Sequence, residues 1–578
     1  MSDTDRPVLI LGAGINGAAL ARELLLNRVP VCLVDTADIA SGATACSSRL
    51  IHGGLRYLEY GELRLVRESL DERTRLLSLA PQFVRPLRLA IPLRTRATGF
   101  VQATGRLLGW PIKPAPRGLW LVRLGLWLYD TFAHPSRLGR HRVHKVDDPQ
   151  LPRVSAARYR WLCSYADAQI QSPERFVLAL LEDAQLLAAA GRIWFQVFTY
   201  HRATVAGQTV EIRACKPLAG DIASDKPVAP VTSFQPAAIV NATGAWVDHT
   251  LGRLNVPSRR LIGGTKGSHI FTFNANVRRL LRGQGVYAEA ADGRPIFMLP
   301  LGAGTLIGTT DVPFDESPEK AVCSEHERDY LLSAVNEILP DITLHPEDVD
   351  LHCSGVRPLP YVGGRAPAGI TRRHWLEENM LCPLPMYSMI GGKLTTCRSM
   401  AEETTATILA SLGRSSIASS RDRIIPGGED YPDGESALAE RHERLARAAD
   451  LTPAQVNAVW SLCGTRAESI LTEATQQDSD RRAGSDNLSG TAIPLRFAGW
   501  VVRNEWVASL SDLVERRLML LYHPALTERC LMQLARLMVE EGRLASGDEA
   551  AEIRACVERL RTHYGRRVLA ADSARQPQ

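Results

Sequence analysis

The hydrophobic pattern at the start of the chain changes from strand-like to helix-like and back. Residues 7–11 and 31–34 are short apolar runs, which are typical of strands buried on both faces. Residues 15–27 between them have the length and the alanine- and leucine-rich composition of a helix. The order strand, helix, strand predicts a βαβ unit.

Similar patterns return further along the chain and are interrupted by segments of different character. Residues 172–190 are predicted to be a helix, and an apolar strand at 237–240 leads into a turn at 241–244. The intervening segments are rich in Pro, Trp and Arg or alternate short strand-like runs with turns, and the tail is helical in pattern. We predict a discontinuous nucleotide-binding domain at 1–84, 151–260 and 351–424, an inserted cap domain at 85–150 and 261–350, and a helical domain at 425–578.

Composition narrows the class of protein. Of the 578 residues, 45% are hydrophobic and 23% charged, which is typical of a globular protein. The net charge of +5 is spread over both halves, and no basic tract is interleaved with aromatic residues, so we expect no nucleic-acid partner. Only seven of the basic residues are lysines, which makes a lysine inside a motif more informative.

Cysteine usage and the N-terminus indicate the compartment. The 11 cysteines form no Cys-x-x-Cys pair, which favours a reducing compartment, and no tetrahedral metal site is expected. Asp3 and Asp5 stand where a signal peptide would have a basic region. We therefore predict a cytoplasmic protein.

One apolar stretch leaves two interpretations open. Residues 119–132 (LWLVRLGLWLYDTF) are aromatic-rich, but they are too short to cross a bilayer and are interrupted by Arg123. They form either a buried helix of the cap domain or a patch that lies against a membrane surface.

The glycines after the first strand are spaced to bind a dinucleotide. In Gly12-x-Gly14-x-x-Gly17, the first permits the tight turn, the second lets the backbone approach a pyrophosphate, and the third lets the helix pack close to the strand. Asp35 ends the second strand, where an acidic residue accepts hydrogen bonds from a ribose. NAD and FAD both use this unit, so it does not select the cofactor.

Two further segments favour FAD. The turn Asn-Ala-Thr-Gly at 241–244 resembles the second fingerprint of flavoproteins that have two dinucleotide-binding domains. At 389–396, two glycines precede an expected helix that runs to about Leu412. Paired glycines allow close approach to a flat ring, and a helix N-terminus beside it favours an anionic reduced flavin.

Several motifs together resemble one family, the FAD-dependent, respiratory glycerol-3-phosphate dehydrogenases. The run SSRLIHGGLRYLEYGELRLVRESLDER at 47–73 is similar to the corresponding segment of that family. Four further motifs agree in the same order: KGSH at 266–269, IGTTD at 307–311, SGVRPL at 354–359 and GGKLTT at 391–396. In the tail, NEWV at 504–507, followed by Asp512, Arg516 and Arg517, is similar to the family's C-terminal helical domain.

The resemblance implies an α/β fold with an α+β cap: a Rossmann-like FAD-binding domain built from discontinuous segments, an antiparallel-sheet substrate cap and a C-terminal helical domain. It implies oxidation of sn-glycerol 3-phosphate to dihydroxyacetone phosphate, with electrons passed to a membrane quinone. The expected partners are the substrate, the quinone and the bilayer surface, which a protein peripheral to the inner face of the cytoplasmic membrane would reach. A homodimer is a further candidate assembly. The expected FAD contacts are Gly12, Gly14, Ile15, Asn16, Gly17, Asp35, Thr44, Ser47, Ser48, Ala242, Thr243, Gly244, Gly391, Gly392, Lys393, Leu394 and Thr395.

The same motifs supply candidate substrate and catalytic residues. A small dianion needs fixed cations, which Arg56, Arg357 and Lys393 offer. His52 has a suitable unperturbed pKa for the base that takes the C2 hydroxyl proton, a desolvated Lys393 is an alternative, and Arg357 would stabilise the developing alkoxide. The catalytic set is therefore His52, Arg357 and Lys393. The expected substrate contacts are Arg56, Tyr57, Lys266, His269, Thr309, Thr310, Arg357 and Lys393.

Departures from the family pattern keep alternatives open. Arg49 replaces a lysine, and Ala45 and Cys46 replace small or hydroxyl residues. Residues 94–117 form a longer segment than usual, and because family oxidases tend to carry an insertion, an oxygen-using oxidase is the first alternative. A non-catalytic flavin-binding protein is the second, although the substrate motifs are intact. For the membrane, the expected contacts are Trp110, Trp120 and Trp127.

Overall fold

Strands and helices alternate along the chain in the computed structural model, which describes residues 6–96, 98, 117–133, 138–215, 231–362, 373–381, 384–477 and 486–570. In these ranges the strands, numbered along the chain, are β1 (Val8–Leu11), β2 (Val31–Val34), β3 (Leu50–Ile51), β4 (Val84–Leu93), β5 (Arg142–Lys145), β6 (Trp161–Ile170), β7 (Phe195–Phe198), β8 (His201–Ala206), β9 (Thr209–Ala214), β10 (Thr232–Phe234), β11 (Ala238–Asn241), β12 (Thr265–Thr272), β13 (Gly285–Glu289), β14 (Pro295–Leu301), β15 (Gly304–Gly308), β16 (Val312–Pro313), β17 (Leu351–Arg357), β18 (Trp375–Leu381) and β19 (Leu384–Ile390).

The helices of the same ranges are numbered in the same way. They are α1 (Ile15–Leu26), α2 (Leu63–Leu79), α3 (Leu119–Phe132), α4 (Pro173–Gly191), α5 (Val247–Arg253), α6 (Ala275–Leu281), α7 (Glu325–Ile338), α8 (Cys397–Ser411), α9 (Glu435–Ala449), α10 (Pro453–Cys463), α11 (Ala467–Gln477), α12 (Leu495–Asn504), α13 (Leu510–Asp512), α14 (Glu528–Glu540) and α15 (Glu549–Tyr564).

A six-stranded sheet forms the nucleotide-binding part of the fold, in the order β18-β19-β11-β1-β2-β7. Its neighbours are parallel except for β18, which runs antiparallel to β19. The central strand β1 is wholly buried, and α1 packs against α4 and α8. The predicted Rossmann-like unit is confirmed, and the carboxyl ends of β1, β2 and β11 meet at one edge, where such sheets bind ligands.

A ten-stranded sheet forms the cap. Its pairings are antiparallel except between β4 and β13. Three of its strands, β3, β6 and β17, lie within the predicted nucleotide-binding segments 1–84, 151–260 and 351–424, yet their hydrogen bonds are with strands of the cap sheet. Burial alone makes a strand apolar, so the pattern does not reveal which sheet a strand joins.

The C-terminal part is helical, as predicted, and its core around residues such as Trp460 and Phe497 also includes Phe271 and Leu351 of the cap strands. Its chain includes a π-helical turn at Leu513–Arg517. A further antiparallel sheet, β10-β9-β8, follows β7.

Helix α3, which contains residues 119–132, has one buried face and one exposed face. Leu119, Val122, Leu126 and Tyr129 are buried on its inner face. Its outer face exposes Trp120 by 49%, Leu124 by 46% and Trp127 by 56%. Within the described ranges, no helix is long and apolar enough to span a bilayer.

Candidate active site

A cleft of about 1150 Å³ runs from the carboxyl ends of β1, β2 and β11 to the cap strands β12 and β17. It brings together segments that are far apart in the chain. Of the predicted FAD contacts, all except Gly17 line it. Of the other predicted residues, those that line it are His52, Tyr57, His269 and Arg357.

Each of the three glycines in the first turn is explained by a different feature of its surroundings. Gly12 has φ +105°, and a Cβ there would lie 2.7 Å from the Ala242 carbonyl oxygen. A Cβ on Gly17 would lie 1.9 Å from the Gly12 carbonyl oxygen, so Gly17 lets α1 pack against the turn instead of facing the cleft. At Gly14 a Cβ would meet only Thr44 Oγ1, at 3.5 Å, so its open side faces the cleft.

The loop that follows β2 forms the next part of the cleft lining. The Asp35 carboxylate accepts hydrogen bonds from the Ala13 amide at 2.7 Å and the Ala37 amide at 2.8 Å. Thr44 Oγ1 accepts one from the Ile15 amide at 3.1 Å, which satisfies a donor at the start of α1. Burial raises the pKa of the Asp35 carboxyl to about 6.

Strand alternation decides which cap residues face the cleft. In the pairing of β12 with β17, Thr265 lies opposite Arg357 and His269 lies opposite Cys353. Gly267 and His269 therefore share a face with Arg357, while Lys266 and Ser268 point the other way. The Arg357 guanidinium lies directly over Gly267, where a Cβ would be only 2.2 Å from Nη2.

Arg357 is held rigidly in this position. Its Nη1 donates to Asp311 Oδ1 at 2.9 Å, and its Nη2 donates to Thr309 Oγ1 at 2.9 Å. Thr309 thus orients the arginine and does not itself line the cleft. Asp311 stands inside the motif at 307–311, yet the motif gave no sign that it would be the partner of Arg357.

Lys266 and Thr310, which were expected to contact substrate, lie outside the cleft lining. The Lys266 ammonium is 2.8 Å from Glu327 Oε2, and Thr310 Oγ1 donates to Glu327 Oε1 at 2.8 Å. Although burial opposes the shift, the hydrogen bond from Lys266 and those from Ser324, Ser268 and Thr310 lower the pKa of Glu327 to about 2. These residues therefore stabilise the back of the cap sheet.

The second predicted substrate cation that lines the cleft is Lys393. Its Nζ lies 4.1 Å from the centroid of the Tyr57 ring and 3.4 Å from Ser69 Oγ. Residue Arg56 lies in the same turn as Tyr57, but its side chain is outside the described part of the protein. Trp110 and most of the segment 94–117 are outside it as well.

His52 faces the same end of the cleft. Its amide donates to Thr395 Oγ1 at 3.2 Å, which joins residues 343 apart in the chain. Burial, together with the positive charges of Lys393 and Arg73, lowers the pKa of His52 to about 3. The imidazole is therefore neutral at physiological pH. His269, in contrast, has its Nε2 2.9 Å from Ser48 Oγ.

A buried polar chain supports the His52 loop from below. The Tyr129 hydroxyl of α3 accepts from the Gly53 amide at 2.8 Å and donates to Asp167 Oδ2 at 2.7 Å. Arg73 Nη1 donates to Asp167 Oδ1 at 2.9 Å. The sequence signal for this support was a tyrosine within a largely apolar run.

A possible metal cluster lies apart from this site. In the described ranges, ligand atoms of Glu68, His374 and Glu403 lie within 4.8 Å of one another. The carboxylates approach opposite ring nitrogens, with Glu68 4.0 Å from Nδ1 and Glu403 3.1 Å from Nε2. That arrangement suits two ion pairs better than one shared ion.

Comparison with known proteins identifies the family. Residues 7–398 match the DAO family of FAD-dependent oxidoreductases. A glycerol-3-phosphate dehydrogenase of Synechocystis sp. is 34% identical over 82% of this chain and 81% of its own. The chain belongs to the FAD-dependent glycerol-3-phosphate dehydrogenase family. A D-erythritol 1-phosphate dehydrogenase of Brucella abortus is 30% identical over 88% of this chain and 93% of its own.

Fold comparison agrees with this family. The solved structure of a glycerol-3-phosphate dehydrogenase from Bacillus halodurans, complexed with FAD, has a TM-score of 0.70 and 20% identity, and the match covers 100% of this chain and 97% of that one. The expected cofactor is thus confirmed: FAD is the cofactor of this family.

The residues that line the cleft suit FAD by their chemistry, apart from any comparison with relatives. Asn16 Oδ1, at the start of α1, is buried without a hydrogen-bond partner among the described residues. A Cβ on Gly392 would lie 2.9 Å from Asn16 Nδ2, so the glycine pair brings the backbone close to the start of α1. The N-terminus of α1 favours an anionic group, and the open side of Gly14 leaves room for a pyrophosphate.

The raised pKa of Asp35 predicts a pH dependence of FAD binding. Ribose hydroxyls donate to the ionised carboxylate, so binding should favour the form that has lost its proton. Below pH 6 most of the Asp35 carboxyl is protonated and must lose its proton before FAD binds. The affinity for FAD should therefore fall by up to about ten-fold for each unit by which the pH is lowered. Titrating the apoprotein with FAD between pH 4.5 and 8 measures this slope.

Asp35→Asn is the control for that titration. Its amide does not titrate, so its FAD affinity should be lower at pH 8 and nearly constant down to pH 5. If the variant and the wild type show the same slope, Asp35 is not the titrating group.

Proposed function

We propose that this protein oxidises sn-glycerol 3-phosphate at C2 to dihydroxyacetone phosphate, using FAD as hydride acceptor and a membrane quinone as final acceptor. The names of its relatives support a polyol-phosphate substrate. The observation that supports the proposal is that Arg357, Lys393 and His52 all line the FAD cleft, with Lys393 near enough to His52 to lower its pKa. Two cations and a neutral imidazole in one cleft suit a small dianion that must lose a hydroxyl proton.

Each of these residues has a distinct role in the proposal. Lys393, with Arg56, binds the phosphate. Arg357 stabilises the negative charge that develops on the C2 oxygen, because Asp311 and Thr309 hold its guanidinium in one orientation before substrate arrives. Bound FAD supplies the acceptor for the C2 hydride. Tyr57 packs against Lys393 and so limits where the ammonium can go.

We propose His52 as the group that accepts the hydroxyl proton. Its low pKa in the free cleft arises partly from the charge of Lys393. A phosphate dianion bound to Lys393 offsets that charge, and the proton affinity of His52 then rises when substrate is present. His269 is the less suitable base because Ser48 occupies its Nε2, and its Nδ1 is buried away from the open cleft.

The outer face of α3 is the proposed contact with the bilayer. Trp120, Leu124 and Trp127 lie at i, i+4 and i+7 and share one exposed face, while Tyr129 on the inner face bonds the Gly53 amide beside the site. Aromatic residues suit the membrane–water interface, and because Tyr129 of α3 bonds the Gly53 amide, contact through α3 would bring the cleft near the bilayer.

Replacing Trp120, Leu124 and Trp127 together by serine should weaken binding to lipid vesicles by about ten-fold or more, because apolar area no longer enters the interface. Flavin reduction by substrate should stay close to wild type, whereas reduction of a vesicle-embedded quinone should fall. Co-sedimentation with vesicles and a quinone-reduction assay measure the two effects. Leu186→Ser on α4, where the leucine is 53% exposed, is the matched control. Equal vesicle binding by triple variant and control would contradict the proposed contact.

Anaerobic mixing with glycerol 3-phosphate tests the reaction itself. We expect the flavin absorbance to bleach, and we expect a quinone analogue to restore it faster than oxygen does. Faster recovery with oxygen would favour the oxidase alternative, and no bleaching with any polyol phosphate would favour a non-catalytic protein. Erythritol 1-phosphate belongs in the same series, because a relative at 30% identity is named for that substrate.

Sedimentation of the same sample tests the predicted homodimer.

A further inference from the structure

Two loops that line the FAD cleft are held from behind by the C-terminal helical domain. The first is the loop after β2, in which Asp35, Thr36 and Ala37 line the cleft. Its next residue, Asp38, is only 1% exposed and faces away from the cleft. Asp38 Oδ2 accepts from Arg516 Nε at 2.5 Å and from Arg517 Nη1 at 2.6 Å, and its Oδ1 accepts from Arg517 Nη2 at 2.7 Å.

The two arginines are themselves fixed. They end the π-helical turn Leu513–Arg517, which directs two consecutive side chains to one carboxylate. Arg516 also donates to Asp512 Oδ1 at 3.0 Å, and Arg517 donates to the carbonyls of Glu505 at 2.8 Å and Trp506 at 3.1 Å. Nearly all their donors are thereby used, so Asp38 is clamped in one position.

The second loop is the one around Thr44, Ser47 and Ser48. Its Arg49 is buried, and its guanidinium donates to both carboxylate oxygens of Glu174, at 2.5 and 3.0 Å. The ring of Tyr522, from the C-terminal domain, lies 4.7 Å from the same guanidinium. The last helix, α15, also contributes Arg559 and His563 to the cleft wall.

We propose that the C-terminal helical domain is part of the FAD-binding apparatus, with Arg516 and Arg517 as positioning residues that act through Asp38. The domain holds both cofactor loops in their binding conformation, so docking of the domain and binding of FAD stabilise each other. The inference rests on FAD occupying the cleft, and it holds for any substrate or electron acceptor.

Arg517→Met tests the inference, with Arg441→Met as the control. Arg441, on α9, makes a two-bond ion pair with Glu468 of α11 inside the same helical domain, at 2.8 and 3.1 Å, and is not a partner of Asp38 or Arg517. FAD dissociation constants come from flavin fluorescence quenching in titrations of each apoprotein. We expect Arg517→Met to raise the constant by about ten-fold or more, from the loss of charge-assisted hydrogen bonds. Arg441→Met should bind FAD with an affinity close to that of the wild type.

Equal FAD affinity in Arg517→Met and wild type, or equal losses in both variants, would overturn the inference. Limited proteolysis of the wild type with and without FAD needs no variant and covers the case in which Arg517→Met does not fold. We expect FAD to slow cleavage within residues 425–570, and unchanged cleavage would also overturn the inference. A wild-type apoprotein that binds no FAD would instead refute the cofactor assignment, while FAD binding without substrate oxidation would refute only the proposed reaction.

Discussion

Arg357→Met is expected to slow anaerobic reduction of the bound flavin by glycerol 3-phosphate by about 10²–10³-fold. The reason is that Asp311 and Thr309 fix Arg357 on the cap wall of the cleft, so its guanidinium is oriented before the negative charge develops. Stopped-flow absorbance of the flavin measures the rate. The FAD content should be unchanged, because the proposed function assigns Arg357 to the substrate and not to FAD.

Two further variants sharpen that result. Arg328→Met removes an equal charge from the cap at a side chain that pairs with Asp329 and does not line the cleft, so it should reduce flavin at the wild-type rate. Arg357→Lys keeps the charge but cannot make both hydrogen bonds at once, so it should recover only part of the rate. A near-normal rate in Arg357→Met would remove the residue from the reaction.

Gly14→Ala is expected to give a folded protein that has lost FAD binding by at least about 100-fold. Among the described residues the added methyl meets only Thr44 Oγ1, at 3.5 Å, so the apoprotein should lose about 1 kcal/mol or less of stability. On the cleft side the same methyl would occupy the space where a pyrophosphate must approach the backbone. The ratio of flavin to protein absorbance and the melting temperature of the apoprotein measure the two effects separately.

Two other glycines serve as comparisons. Gly17→Ala should prevent correct folding, because its methyl would overlap the Gly12 carbonyl oxygen. Gly252→Ala, on α5, meets no atom within 4 Å and should bind FAD normally. A Gly14→Ala protein that purifies with full FAD content would place the pyrophosphate elsewhere.

Local patterns predicted the nucleotide-binding elements closely. The strand expected at 31–34 is Val31–Val34, and the helix expected at 172–190 is Pro173–Gly191. Such elements are specified by short-range periodicity and by turn residues, which the sequence displays directly. The presence of Gly12 and Gly14 in the cleft lining followed for the same reason, because a pyrophosphate requires glycines at fixed spacing next to a helix N-terminus.

The cap strands show where a motif is insufficient. Lys266 and His269 stand in one four-residue motif, yet the pairing of β12 with β17 turns His269 to the cleft and Lys266 to Glu327. A strand alternates faces at every residue, so the role of each depends on which face the sheet presents to the cofactor. Which face of β12 is turned to the cleft depends on its pairing with strands that are distant in the chain.

The sequence by itself determined the cofactor, the family and the segments that surround the cleft, because glycine turns and charged motifs reflect local chemical requirements. Only the tertiary structure decided how these residues are held: Arg357 by Asp311, the His52 loop by Tyr129, and the loop after β2 by Arg516 and Arg517. Each of these contacts joins residues from different elements. Their physical basis is burial, since a polar group removed from water must find its partner wherever the fold places one.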